Sequence, residues 1–264
     1  MKKIIFLLSF IVLSHSLLAQ DFALKQLEKS PRHQEWVKVQ SGNRQVNCFV
    51  VFPEKAKKTT AVIIIHENQG LTDWVRSFAD QLAAEGYLAI APDLLSDFDS
   101  THHKTTDFAS ADAARTAIYQ LKQEQVSLDL NQVQQYASKL EAANGKTASI
   151  GFCWGGGQSF RFATNPALKT AMVFYGSSLK KEEIEQVSVP VYGFYGENDQ
   201  RINAGISDTE KQMKEKVKKY DYKIYPGATH AYMRQGDDPK ASAENKKARD
   251  ESWKRIKLIL AGIR

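Results

Sequence analysis

Residues 59–67, TTAVIIIHE, constrain this chain more than any other stretch. The run stays apolar, with no alternating polar positions, until His66. That is the pattern of a strand covered on both faces, as in the interior of a parallel sheet. A helical pattern follows at once: LTDWVRSFADQLAAEG puts Trp74, Val75, Phe78, Ala79 and Leu82 on one stripe, with Gly86 where a helix stops. Parallel neighbours need crossovers of this length, so the pair reads as one unit of a repeated strand and helix alternation.

The alternation continues along the chain. NCFVVFP (47–53) precedes the unit and YLAIAPD (87–93) follows it, then a polar, irregular segment runs to 108. Helical spacing returns over 109–122, and again through Val133, Tyr136, Ala137 and Leu140 to a stop near Gly145. TASIGF (147–152), KTAMVFYG (169–176), VPVYGFYGEND (189–199) and YKIYPG (222–227) read as strands, with a charged helix over 208–219 and a last helix holding Trp253, Ile256 and Leu260. This order predicts the α/β class: a mainly parallel central sheet, flanked by helices on both faces and joined by right-handed crossovers. No repeat or low-complexity linker interrupts it, so residues 20–264 are expected to form a single domain.

Residues 1–19 differ. Lys2 and Lys3 precede an apolar stretch, and Leu17-Leu18-Ala19 ends on a small residue, the arrangement of a secretory signal peptide. Ser9, Ser14, His15 and Ser16 break the run short of the roughly twenty apolar residues of a spanning helix. The expected location is therefore periplasmic or secreted, with no stable membrane anchor after cleavage. Loss of two lysines and no acid lowers the formal charge from +6 to +4. KQMKEKVKKY (211–220) interleaves its lysines with Glu215, Met213 and Val217, a solvated helix face rather than a nucleic-acid patch. Cys48 and Cys153 are the two cysteines, too few for a disulfide framework in an oxidising compartment.

In parallel sheets the chemistry sits at the carboxyl ends of the strands. GFCWGGG (151–157) starts there. Gly151-Phe152-Cys153-Trp154-Gly155 has the form Gly-x-nucleophile-x-Gly, in which a sharp strand-to-helix turn leaves no room for side chains two residues on either side. The helix start that follows favours negative charge on sulfur. Asp199 follows a later strand, with Glu197 as the competing acid, and His230 follows the last one. Nucleophile, acid, histidine is the chain order of α/β-hydrolases. His33, His102 and His103 lie in polar segments without a convincing set of further metal ligands, and no metal site is expected. Glu67 closes the first apolar strand on the side expected to face Cys153. The loop after it and the N–H of Trp154 are candidate oxyanion donors.

HENQGL (66–71), LAAEGYLAIAPDL (82–94), GFCWGG (151–156), YGENDQ (195–200) and THAY (229–232) together resemble the dienelactone hydrolase family of α/β-hydrolases. The resemblance implies a Cys153–His230–Asp199 triad that cleaves an ester or lactone through a thioester, with no cofactor. It also implies that Glu67 contacts the resting cysteine and helps generate the thiolate. In such enzymes two arginines bind the dienelactone carboxylate. Arg234 matches the second position, but residues 91–99 contain no arginine for the first, which points away from dienelactone itself and towards another small ester. The partner expected is a small-molecule ester or lactone; nucleic acid is not expected. The alternatives are an acyltransferase or peptidase on the same fold, a non-catalytic binding module, and a redox pairing of Cys48 with Cys153. The natural substrate and the oligomeric state are not legible, and 95–108 is a candidate lid.

Overall fold

A computed structural model describes residues 21–54 and 57–263; the expected signal segment, 1–19, lies outside the described residues. The elements run α1 (Asp21–Glu28), β1 (Gln34–Ser41), β2 (Arg44–Val51), β3 (Thr59–Ile65), α2 (Asp73–Ala84), β4 (Leu88–Pro92), α3 (Ala111–Ile118), α4 (Gln123–Lys139), β5 (Ala143–Phe152) and α5 (Trp154–Phe162). They continue with β6 (Leu168–Phe174), α6 (Lys181–Glu185), β7 (Val191–Gly196), α7 (Gln200–Asn203), α8 (Ile206–Glu215), β8 (Tyr220–Tyr225), α9 (Tyr232–Gln235) and α10 (Ala243–Ala261).

One sheet holds all eight strands in the order β1-β2-β4-β3-β5-β6-β7-β8. β1, β2 and β4 pair antiparallel, and every later neighbour is parallel. The unbroken apolar run of β3 now has its reason. Val62 and Ile64 pack with α1, α2 and α10 on one face, while Ala61, Ile63 and Ile65 pack with α4, α5 and α8 on the other. The chain leaves β3 for β4 on one side and returns to β5 on the other. The carboxyl ends of β3 and β5 thus flank a topological switch point, where such sheets open a cleft.

Three local features depart from the sequence reading. QEWVKVQS is an edge strand, turned back onto β2 at Gly42 (φ 57°). Its alternation is masked by glutamine and lysine on the outer face, and only Val39 and Ser41 are buried. The 109–122 pattern holds only the shorter α3, and α4 begins just beyond it at Gln123. Gly145 is no helix stop: α4 ends at Lys139, and Gly145 (φ 82°) sits in β5 where the register against β3 shifts between Thr59 and Ala61. Glycine marks a left-handed backbone in both settings, and only the pairing partner tells a bulge from a cap.

The segment after β4 is irregular, as expected, but fastened. The Asp93 carboxylate accepts from the N–H (2.6 Å) and hydroxyl (2.7 Å) of Thr105, whose Oγ1 in turn accepts from Leu71 N–H (2.9 Å). α3 then packs through Ala114, Ala117 and Ile118 towards Trp154.

Candidate active site

The turn after β5 is built from its sequence. Phe152, fully buried, meets Trp74 and Phe78 edge-on at 4.9 and 4.8 Å, and burial of one such ring contributes roughly 1.5–3 kcal/mol. With Phe152 anchored, the chain must reverse within one residue, and Cys153 adopts φ 55°, ψ −115°, a conformation that non-glycine residues seldom take. A Cβ at 151 would overlap the carbonyl of Gly155, and one at 155 would overlap the carbonyls of Ile65 and His66. Glycine is therefore required on both sides of the cysteine, as the motif implied.

His230 Nε2 lies 3.2 Å from Cys153 Sγ, and its Nδ1 lies 2.5 Å from Asp199 Oδ2. Asp199 is 6% exposed and stands at the start of α7. Glu197, the competing acid, instead accepts the N–H of Gly227 at 2.8 Å and secures the loop after β8. That loop ends in a left-handed residue, Ala231 (φ 60°), and Gln235 donates to the His230 carbonyl at 2.8 Å, so the imidazole is presented from a braced backbone.

Glu67, 7% exposed, leaves β3 toward the same cleft, where its Oε2 accepts from Arg234 Nε at 2.7 Å. His66 is fully buried and stacks on Trp154. Its Nε2 accepts from Leu94 N–H at 3.2 Å, so Nδ1 carries the proton that is given to the Glu67 carbonyl at 2.7 Å. Burial holds His66 below the ordinary imidazole range, in the neutral form this bonding needs. The stack and the two bonds fix the backbone from which Glu67 and Asn68 project.

Burial pushes the Cys153 thiol up to about 11, and the Glu67 carboxylate adds to the rise. Opposing it are the backbone N–H groups of Trp154 and Asn68, which both donate toward the sulfur, and the positive charge of Arg201. The site therefore stores a neutral thiol beside two N–H donors aimed at one point. Such donors can hold a developing oxyanion.

Every residue singled out from the sequence meets here: Cys153, Asp199, His230, Glu67, Trp154 and Arg234. Three others went unnoticed, and the loop donor expected after β3 proves to be Asn68. Asn68 supplies the second N–H and gives its side-chain amide to the Tyr119 hydroxyl at 3.2 Å. Arg201, two residues past Asp199, brings an exposed cation to the cleft. Tyr175, one residue past β6, sets its ring edge-on to His230 at 5.1 Å, and His66 fixes the loop. A polar or aromatic residue just past each strand end was the available signal. His102 and His103 pair instead with Asp99 and Asp97 at the surface. Cys48 is buried on β2, and both cysteines are free thiols.

The mostly parallel eight-stranded sheet, with a strained nucleophile-type turn at the switch point, is the α/β-hydrolase fold. The model of the dienelactone hydrolase family matches residues 46–263, and the chain belongs to that family. A protein of Saccharolobus solfataricus provisionally named carboxymethylenebutenolidase is 30% identical over 255 residues, covering 84% of this chain and 96% of that one. Among solved structures, a provisionally assigned dienelactone hydrolase from Klebsiella pneumoniae superposes with a TM-score of 0.77 at 22% identity, over 87% of this chain and 98% of that one. The dienelactone hydrolase of Anabaena variabilis gives 0.64 at 18% identity, over 84% and 95%. At such identities the two structures speak for the fold alone.

Proposed function

We propose that this protein hydrolyses small esters or lactones through a thioester on Cys153, and that it does so in the periplasm or outside the cell. The observation that carries the reading is one imidazole bridging a buried carboxylate and a thiol, at 2.5 and 3.2 Å. The substrate carbonyl oxygen sits against the N–H groups of Asn68 and Trp154. Cys153 gives its proton to His230 as sulfur attacks, and Asp199 holds the imidazole in the productive tautomer and steadies its positive charge. The tetrahedral oxyanion collapses to the thioester as His230 protonates the leaving alkoxide. Water, deprotonated by the same Nε2, then releases the acid and restores the thiol.

A thiol stored neutral suits an oxidising compartment, because the thiolate is the form that oxidants attack. The segment that suggests export, residues 1–19, lies outside the described residues, and the location rests on its sequence pattern. Arg234 is engaged by Glu67 and residues 91–99 bring no arginine, so neutral or weakly charged esters are the proposed substrates rather than dienelactone.

The test is turnover of aryl esters and lactones of graded charge by the mature protein and by Cys153→Ala. Iodoacetamide labelling read by mass spectrometry should mark Cys153 ahead of Cys48. Hydrolysis that survives Cys153→Ala would end the proposal.

A further inference from the structure

The backbone that carries His230 is gripped on both sides by side chains with no part in the chemistry proposed above. Just before it, the Thr229 N–H donates to Asn245 Oδ1 at 3.0 Å, and the His230 carbonyl itself accepts from Gln235 Nε2 at 2.8 Å. These two amides are joined to each other. Asn245 Nδ2 donates to Gln235 Oε1 at 2.9 Å and to Thr229 Oγ1 at 3.1 Å, and the Thr229 hydroxyl donates to Gln235 Oε1 at 2.9 Å. Asn245, Thr229 and Gln235 thus close a ring of hydrogen bonds, and its two outer contacts hold the chain at positions 229 and 230.

The direction of this ring is forced. A main-chain N–H can only donate, so Asn245 turns its oxygen to Thr229 and its NH2 to Gln235; Gln235 then has its oxygen engaged and its own NH2 free for the His230 carbonyl. Asn245 is 5% exposed, and a buried amide is stable only with its polar atoms bonded. Its backbone is fixed as well. Ser242 Oγ, the cap of α10, accepts the Asn245 N–H at 3.2 Å, and a Cβ at Gly236 would overlap the Asn245 carbonyl. The start of α10 is therefore pressed against the far end of the segment that bears His230. That segment needs support, because Ala231 follows in a left-handed conformation (φ 60°) that a residue with a Cβ disfavours. The structure assigns Asn245 as a positioning residue: through Thr229 and Gln235 it fixes the backbone from which His230 reaches both Cys153 and Asp199. Proton transfer requires that nitrogen within hydrogen-bond reach, and a displacement of ~1 Å can cost on the order of 10²-fold in rate. This rests on the reading of His230 as the acid and base of the reaction.

The experiment compares Asn245→Ala, Gln235→Met and the double variant in the full mature protein, using an aryl ester. Asp80→Ala serves as the control: it removes the acceptor of Arg32, Ser30 and Gln34 on α2 and lowers stability without touching the histidine segment. Asn245→Ala should lower kcat about tenfold with KM changed less than about twofold, because a displaced imidazole weakens the transition state and not the binding of substrate. Gln235→Met, at an exposed position, should lower kcat about threefold with an unmoved melting temperature. In the Asn245→Ala background the same substitution should cost little more, the sign of two residues acting through one ring. Asp80→Ala should keep its kcat.

Unchanged kcat in Asn245→Ala overturns the proposal, as does a raised KM at constant kcat, which would make the amide a substrate contact. A loss of kcat that Asp80→Ala shares, tracing to stability alone, overturns it too, and so does full additivity with Gln235→Met. Should the Ala variant not fold, Asn245→Asp keeps the oxygen that Thr229 uses, loses the donor to Gln235 and carries the same expectations. Full turnover in Asn245→Ala beside an inert Cys153→Ala sinks the role of Asn245 alone; turnover in Cys153→Ala sinks the hydrolase reading beneath it.

Discussion

Two buried carboxylates, each paired with an arginine, lead different lives in this molecule. Asp80, on α2, is fully buried and saturated: Arg32 grips it with Nε (2.9 Å) and Nη2 (2.6 Å), and Ser30 (2.5 Å) and Gln34 (3.2 Å) add two further donors. Glu67 accepts a single guanidinium N–H among the described residues, in the cleft with a thiol it disfavours. The first arrangement fastens the chain after α1 onto α2 and has no reason to change. The second is held by fewer donors where chemistry is proposed, and a group with fewer bonds can change partners at lower cost. Four donors mark the structural pair, and a single one marks the pair in the cleft.

Breaking the chemical side of this comparison should have the largest consequences. Cys153→Ala is expected to cut ester turnover by at least ~10³-fold, since no other group takes over the covalent step. Asp199→Asn should leave the fold intact and lower kcat on the order of 10²–10³-fold by releasing the histidine tautomer, read from steady-state kinetics beside an unchanged circular dichroism spectrum. Glu197→Gln, which touches only the Gly227 N–H, should keep kcat within about twofold, separating the two acids.

The structural side answers in stability instead. Asp80→Ala strips a part-buried arginine and two further donors of their acceptor, and should cost ~3 kcal/mol in urea unfolding while kcat holds. Glu67→Gln should cost less than ~1 kcal/mol, because its arginine is less enclosed and makes one contact. Equal losses at the two sites would erase the contrast drawn here.

The finest probe is pH. The folded Cys153 thiol is raised from 9.0 to about 11, so the protein favours its protonated form. The stability this lends is complete below pH 9.0 and disappears as pH climbs through about 11. Cys153→Ala should therefore flatten the alkaline decline in stability across that window. Glu67→Gln removes one of the two causes of the rise, so its Cys153 should react with iodoacetamide at lower pH than the unsubstituted protein, with burial keeping the midpoint above that of a free thiol. An unmoved profile would mean that Glu67 does not bear on the sulfur.

Much of this could be read before any coordinates. The doubly covered strand at 59–65, the helix stripe from Trp74 to Leu82 and the glycines around Cys153 each follow from local periodicity or local crowding, and each stands where it was expected. β1 escaped because an edge strand buries only one face and its glutamines dilute the alternation. Gly145 misled because one left-handed glycine serves a cap or a bulge equally well. Tyr175 escaped because nothing in its neighbours in sequence marks its ring as packing on His230, and the loop donor expected after β3 could not be narrowed to Asn68 without the turn itself.

The amino-acid order alone determined the α/β alternation, the family and the turn that exposes Cys153, because strand and helix periods and the steric needs of a tight turn are properties of adjacent residues. The tertiary structure decided that Asp199 rather than Glu197 holds His230, that Asn68 supplies the second N–H, and that Glu67 is paired to Arg234. Those outcomes join groups as far apart as 167 positions, and at such separations only the register of the sheet and the orientation of its loops determine which polar atoms face each other.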